Sequence, residues 1–142
     1  MKHYSNPPVV FILSYLAYTT AYLCRLNLSI VTPVLQETGL LDKAQIGLMG
    51  SIFFCTYAVG QLLNGRLGDK CNPKFMVLAG VFTAGIVNIL VGFFPPFIAI
   101  LVLWGMNGYA QSMLWGPLLR ILYKVFGGKS SYVVSFFATS IA

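Results

Sequence analysis

One arginine lies inside a stretch of apolar and small residues, where its chemistry needs an explanation. Residues 22–33 are YLCRLNLSIVTP, and Arg25 is the only charged side chain among them. A guanidinium group holds a phosphate or a carboxylate through two parallel hydrogen bonds. The nearest acid in the sequence, Glu37, lies about three helical turns away, so an anionic ligand is favoured over a salt bridge within this segment. Two alternatives stay open: Arg25 pairs with an acid of another segment, or its side chain extends outward to water.

Polar and aromatic side chains recur on the same helical face as Arg25. Tyr18 and Tyr22 precede it at helical spacing, and Ser14 and Ser29 extend the stripe at its two ends. The second and fourth apolar segments carry similar stripes, namely Tyr57, Gln61 and Asn64, and Asn107, Gln111 and Trp115. Three helices with polar stripes can line one shared cavity, whereas a helix that faces only lipid needs no stripe.

The same residue types also have purely structural uses in membranes. Tyrosine and tryptophan are common where the bilayer meets water, so a single tyrosine is more often an anchor than a ligand. Asn107 and Gln111 suit hydrogen bonds between helices as well as they suit contacts to a ligand. Only the combination with Arg25 makes the other members of the stripes candidates for binding a ligand: Tyr18, Tyr22, Tyr57, Gln111 and Trp115.

The composition indicates an integral membrane protein. Of 142 residues, 58% are hydrophobic and only 8% are charged, and the mean hydropathy is +0.81. Soluble domains carry about 25% charged residues. A charge in the middle of a membrane helix costs about 2.5–3.5 kcal/mol on insertion scales, so Arg25 is a candidate functional residue by default.

The hydropathy pattern predicts an all-α protein with four membrane-spanning helices and part of a fifth. A bilayer core of about 30 Å needs about 20 helical residues. The fifth segment has 11 residues in this sequence, about 16 Å of helix, so we expect a truncated helix and a longer parent protein. The expected helices form one incomplete bundle over residues 1–142, at about 8–34, 46–67, 75–94, 97–126 and 132–142.

Basic residues collect on one side of these helices. The connection between the first and second helices holds only Lys43, beside Glu37 and Asp42. Because cytoplasmic loops are rich in lysine and arginine, we expect the N-terminus to be cytoplasmic, in a bacterial-type plasma (inner) membrane. The basic residues expected on the cytoplasmic side are Lys2, Arg66, Lys70, Lys74, Arg120, Lys124 and Lys129.

Other function classes lack the residues that they would need. The three acids are far apart, and no Ser-His-Asp or Cys-His arrangement can be drawn, so we expect no enzyme. The cysteines Cys24, Cys55 and Cys71 form no spaced cluster, so neither a metal nor another cofactor is expected. The basic residues lie mostly in loops on one side of the expected membrane helices, so no basic surface is left that could bind nucleic acid.

The connection after the second helix is the strongest local motif. Residues 65–74 are GRLGDKCNPK, a sequence in which Gly65 and Gly68 could allow close packing and a sharp turn. The carboxylate of Asp69 can pair with the nearby cations, Lys70 and Lys74 among them, and such contacts can hold one conformation of a gate. The alternative is a solvated turn that only fixes topology.

The motif and two of the helices resemble a known family. Residues 65–70 with Lys74 are similar to the signature between the second and third helices of the major facilitator superfamily, and residues 72–74 (NPK) resemble its organophosphate:phosphate antiporter branch. The first-helix pattern Tyr-x-x-x-Tyr-x-x-Arg-x-Asn of residues 18–27 and the stretch GYAQSMLWGPLLR of residues 108–120 resemble the same branch.

The resemblance implies roles for several residues. Arg25 would bind the substrate phosphate together with a second arginine from the other half of a twelve-helix fold. Tyr18, Tyr22 and Tyr57 would line the same pocket, and residues 65–74 would act as a cytoplasmic gate element.

The resemblance also implies an activity, the exchange of an organophosphate for inorganic phosphate by alternating access. The partners would then be a small anionic substrate, the lipid bilayer and the remaining helices of the transporter. The chain has Leu26 and Ile141 where glycerol-phosphate antiporters have a lysine and a histidine, so the substrate stays open. The alternatives are a facilitator for another organic anion and a membrane sensor of sugar phosphates that does not transport.

Overall fold

The computed structural model describes residues 6–93 and 96–140, except for the side chains of Asp69 and Ser140. All regular elements within these residues are helical, which confirms the predicted all-α fold. The helices are α1 (Pro7–Glu37), α2 (Lys43–Lys70), α3 (Pro73–Gly92), α4 (Phe97–Ser112), α5 (Trp115–Phe126) and α6 (Ser130–Ser140), with a 3₁₀ turn at Gly127–Lys129 between the last two.

Local sequence signals explain where α2 and α3 begin. The carboxylate of Asp42 accepts a hydrogen bond from the backbone of Gln45, whose side chain accepts one from the backbone of Asp42. This reciprocal pair is a capping box. Asn72 caps α3 in a similar way by accepting from the backbone of Lys74, and Pro73 occupies the first helical position, where its missing N–H costs nothing.

The fourth expected segment, residues 97–126, is interrupted in the structure, where α4 ends at Ser112 and α5 begins at Trp115. Pro117 explains the break: it has no N–H to donate to the carbonyl of Met113, and its ring crowds that carbonyl. The backbone N–H of Leu114 donates instead to the carbonyl of Gln111 at 3.2 Å, the tighter spacing of a 3₁₀ turn.

The remaining helix ends lie within a few residues of the sequence boundaries. Both ends of α2 extend three residues beyond the expected span of 46–67, and α6 begins at Ser130 instead of residue 132. The expected end of the third segment at residue 94 lies outside the described part of the chain, as do residues 141–142 of the fifth.

Four stretches of the described chain are long and apolar enough to cross a membrane. Their outward faces carry large apolar side chains: Leu62, Phe82 and Ile98 are each more than 70% exposed. Such a surface is unfavourable in water and suits contact with lipid or with further helices. Several polar side chains, Asn64, Asn107 and Gln111 among them, are buried between the helices instead.

Two apolar clusters hold the bundle together, and α1 contacts both. Ala21 belongs to the first cluster, with residues of α3, α5 and α6, whereas Leu28 packs against the second cluster, with residues of α2 and α4. Arg25 lies between Ala21 and Leu28 on α1, so its side chain emerges between the two packed regions.

The α2–α4 interface is the most extensive contact in the bundle, and two glycines allow it. A Cβ atom at Gly108 would lie 2.4 Å from the carbonyl oxygen of Phe53, and a Cβ atom at Gly60 would lie 2.2 Å from Oγ of Ser112. Both distances are too short for any larger residue, so these helices approach at their backbones. Small residues allow such close contact between membrane helices.

Candidate functional site

Arg25 lines a cavity between α1, α2, α4 and α5. The cavity has a volume of about 180 Å³ and is half-enclosed by the bundle. The structure brings together there all six residues that the sequence singled out as ligand-binding candidates. The lining residues are Tyr18, Ala21, Tyr22, Arg25, Tyr57, Gln111, Leu114 and Trp115.

The helix break positions one wall of this cavity. Gln111 lies in the last turn of α4, and Trp115 begins α5 just beyond the break. The ring of Trp115 lies 5.3 Å from that of Tyr18, centroid to centroid, so α5 and α1 meet at this point through aromatic contact.

Aromatic rings surround the guanidinium group of Arg25. Its central carbon lies 5.1 Å from the ring centroid of Tyr57, 5.4 Å from that of Phe53 and 5.9 Å from that of Tyr22. A cation within about 6 Å of an aromatic centroid is attracted by the negative face of the ring. Sequence reasoning missed Phe53, because one phenylalanine in an apolar helix carries no signal of its own.

A chain of hydrogen bonds connects Arg25 to α4 and back to α1. Nε of Arg25 donates to Oε1 of Gln111 at 3.1 Å, and Nε2 of Gln111 donates to Oδ1 of Asn107 at 3.2 Å. Nδ2 of Asn107 then donates to the backbone carbonyl of Cys24 at 3.3 Å. Asn107 is fully buried and Gln111 nearly so. Both side chains therefore make the bonds between helices that the sequence left open as an alternative, and Gln111 also lines the cavity.

The two terminal amino groups of Arg25 remain available for a ligand. Over residues 6–93 and 96–140, the structure shows no acceptor for them and no carboxylate paired with this guanidinium. The available donors therefore face a cavity that contains several hydroxyl and amide groups but no negative charge of its own. Such a site suits an anion that offers two oxygen atoms.

A second hydrogen bond orients the hydroxyl group of Tyr57. Nε2 of Gln61 donates to this hydroxyl oxygen at 2.8 Å. A phenol that accepts from Gln61 keeps its own hydrogen for donation, so Tyr57 can supply a neutral hydrogen-bond donor.

Five members of the sequence stripes lie outside this cavity, namely Ser14, Ser29, Gln61, Asn64 and Asn107. Ser14 is buried in a groove between α1, α3 and α5, and Ser29 is exposed. Asn64 is buried and donates to Oγ of Ser112 at 2.7 Å, beside a separate cavity of about 410 Å³ between α2 and α5. Each stripe is therefore longer than the part of the helix that lines the cavity.

The structure places most of the gate motif within helices. Gly65 and Gly68 belong to α2, and the connection to α3 is only two residues long. The carbonyl of Gly68 accepts a hydrogen bond from the guanidinium group of Arg120 on α5. A Cβ atom at either glycine would meet no atom of the described residues within 4 Å, and neither has a positive φ. The expected close packing and sharp turn therefore do not explain these two glycines.

The charged members of the motif are described in part. Lys70 lies in the last turn of α2 and is exposed, and Lys74 lies in the first turn of α3. The side chain of Asp69 lies outside the described residues, so the expected pairing of its carboxylate stays a prediction.

Comparison with known proteins places this bundle in a family. The sequence model of the Major Facilitator Superfamily matches residues 10–142. The chain belongs to the major facilitator superfamily.

Curated relatives of this superfamily chain are named for phosphorylated compounds. The chain described here is 31% identical over 113 residues to a probable hexose phosphate transport protein of Chlamydia trachomatis, and the match covers 80% of this chain and 25% of the relative. It is 32% identical over 117 residues to the glycerol-3-phosphate transporter of Bacillus subtilis, covering 80% and 26%. It is 32% identical over 102 residues to the membrane sensor protein UhpC of Escherichia coli, covering 72% and 23%.

These relatives confirm the predicted resemblance to the organophosphate branch of the superfamily. The chain spans about a quarter of the length of the relatives it matches. No solved structure gives a significant match.

Proposed function

We propose that this superfamily chain forms part of a secondary transporter that exchanges an organophosphate for inorganic phosphate by alternating access. The observation that carries the proposal is Arg25, a guanidinium group with two available terminal amino groups and no paired acid among the described residues. The names of the relatives support a phosphorylated substrate of the sugar phosphate or glycerol phosphate type.

The cavity suits the charged head group of such a substrate. Sites that enclose whole small molecules measure about 300–1,000 Å³, whereas this cavity has about 180 Å³. A phosphate group could take two bonds from Arg25 and further bonds from Tyr18, Tyr22 and Tyr57. The rest of the substrate, and a second cation, would then meet helices outside this chain.

We infer the gate from the contact between the end of α2 and the middle of α5. The bond from Arg120 to the carbonyl of Gly68 ties the end of α2 to α5. Breaking and remaking such a contact would open and close access from the cytoplasm, where residues 65–74 would lie if the N-terminus is cytoplasmic in a bacterial inner membrane.

A second candidate function is supported by one relative. The relative is UhpC, a protein named as a membrane sensor, to which the chain is 32% identical over 102 residues. A sensor would bind the organophosphate at Arg25 without moving it. A facilitator for another organic anion, such as a carboxylate, would use the same donors.

Counterflow in proteoliposomes separates these functions. Vesicles that hold the full-length protein and are loaded with inorganic phosphate should take up labelled phosphate and labelled organophosphate. Binding without counterflow would favour the sensor, and counterflow of carboxylates alone would favour the other anion.

Arg25→Lys tests the role of the guanidinium group. Lysine keeps the charge but loses the planar fork, so uptake should fall about tenfold or more. Lys129→Arg is the control, because Lys129 is exposed in the 3₁₀ turn and lies outside both the cavity and the gate motif. Exchange that survives Arg25→Lys as well as it survives Lys129→Arg would refute the phosphate clamp.

A further inference from the structure

We propose that Asn107 is a positioning residue for Arg25, and that it acts through Gln111 without touching the ligand. The inference rests on the proposed function only for its effect on ligand affinity. Asn107 has no exposed surface and does not line the cavity, yet two hydrogen bonds separate it from the guanidinium group.

The groups at the two ends of the hydrogen-bond chain fix its polarity, that is, the direction in which each amide side chain donates and accepts. The backbone carbonyl of Cys24 can only accept, so Asn107 must present its amide nitrogen to that oxygen. The amide oxygen of Asn107 then faces Gln111, which must donate its nitrogen. The oxygen of Gln111 is thereby presented to Nε of Arg25, a group that can only donate. A rotation of either amide by half a turn would place like groups together.

This polarity decides which face of Arg25 is available. A guanidinium group binds an anion either end-on, through its two terminal amino groups, or side-on, through Nε and one terminal group. Because Gln111 occupies Nε, only the end-on pair remains for the ligand. Asn107 therefore selects the binding geometry of Arg25 from a position that the ligand does not reach.

Asn64 provides a matched control for a merely structural asparagine. It is 2% exposed, lies in the same α2–α4 region and donates to Ser112, but it has no connection to Arg25. Asn64→Leu and Asn107→Leu each replace a buried amide by an apolar group of similar shape. If Asn107 acted only through stability, the effect of each variant on Arg25 would follow its own measured loss in free energy of unfolding, which need not be equal because the amide oxygen of Asn64 has no partner among the described residues.

The first experiment needs no ligand. Arginine side chains of the full-length protein are labelled with ¹⁵N, and the Nε–H signal of Arg25 is assigned by its loss in Arg25→Lys. We expect Asn107→Leu to accelerate exchange of this proton with solvent by about tenfold, as expected for loss of a hydrogen bond from a charged donor. Asn64→Leu should leave the rate unchanged. An unchanged rate in Asn107→Leu, or equal acceleration by both variants, would overturn the proposal. Asn107→Ala serves if the leucine variant does not fold.

The second experiment measures the dissociation constant of inorganic phosphate in a double-mutant cycle. Asn107→Leu and Gln111→Leu should each weaken binding about tenfold, and the double variant should bind no more weakly than Gln111→Leu alone. Losses that multiply would show that Asn107 acts independently of Gln111, contrary to the proposal. If the unaltered protein bound no phosphate while the exchange result held, the proposed function would fail and the positioning role would stand.

Discussion

Gly108→Ala is expected to separate α4 from α2 and to disturb the candidate site at a distance. An added Cβ atom would lie 2.4 Å from the carbonyl oxygen of Phe53 and 2.4 Å from Oγ1 of Thr56. The first neighbour is backbone and cannot rotate away. Gly105 lies one turn earlier on the same face of α4, where an added Cβ atom would find its nearest neighbour, a side-chain carbon of Ile52, at 3.4 Å. The two substitutions are therefore the same in chemistry and differ only in available space.

The expected magnitude follows from these distances. To restore an ordinary contact, α4 must move by about 1 Å, and such overpacking costs about 1–3 kcal/mol. Replacing glycine by alanine inside a helix also gains about 1 kcal/mol from helix propensity. That gain is common to both variants, so the free energy of unfolding should be about 1–3 kcal/mol lower for Gly108→Ala than for Gly105→Ala.

The same shift should weaken ligand binding. Nε of Arg25 and Oε1 of Gln111 are 3.1 Å apart, and a displacement of about 1 Å would take them beyond hydrogen-bonding distance. Chemical unfolding in detergent measures the stability difference, and equilibrium binding of inorganic phosphate measures the second effect. Equal stability and equal affinity in the two variants would refute the close approach of α4 to α2.

Three further changes test other parts of the site. Tyr57→Phe keeps the ring beside Arg25 and should weaken phosphate binding only a few-fold. Tyr57→Leu also removes a cation–π contact of about 0.5–2 kcal/mol, so it should bind phosphate more weakly than Tyr57→Phe in the same assay. Equal losses of affinity in the two variants would refute the ring contact. Arg120→Gln should lower the rate of counterflow while leaving phosphate affinity unchanged, because it loosens the bond to Gly68 and not the cavity; a parallel loss of affinity would contradict the gate. Asp42→Ala should lower the free energy of unfolding by about 1 kcal/mol because the capping box is lost, whereas Asp42→Asn should largely preserve it. Chemical unfolding measures these values, and equal stability of both variants and the unaltered protein would contradict the role of the cap.

Helical spacing and the family resemblance together indicated which residues line the cavity. Tyr18, Tyr22 and Arg25 repeat at intervals that place them on one face of α1, and a charge in an apolar helix marks that face as the one that avoids lipid. The polar stripes on the second and fourth segments were then expected to face Arg25, because they too should avoid lipid. For this reason Tyr57 and Gln111 could be assigned to the same cavity without coordinates.

Other features depended on information that spacing does not contain. The stripes do not show where a cavity ends, so Ser14 and Asn64 were grouped with residues that the structure places elsewhere. Phe53 is indistinguishable in the sequence from the apolar residues around it. Pro117 could have indicated the break before α5, but the apolar run is continuous across it and therefore favoured a single segment. The direction of the amide of Asn107 depends on contacts between helices that no single helix can show.

The surroundings of Arg25 explain how an uncompensated charge can be tolerated in this bundle. Placing an arginine in the middle of a membrane helix costs about 2.5–3.5 kcal/mol. Three aromatic faces contribute about 0.5–1 kcal/mol each, and the hydrogen bond to Gln111 adds about 1.5–3 kcal/mol, so together they are as large as that cost. A carboxylate would have stabilised the charge as well, but it would have occupied the same amino groups that a ligand needs. Aromatic rings stabilise the cation through their faces and leave those N–H groups unbound. The absence of a paired acid among the described residues and the presence of Tyr22, Phe53 and Tyr57 are therefore two parts of one arrangement, in which the guanidinium group is held in place while its anion-binding end stays open.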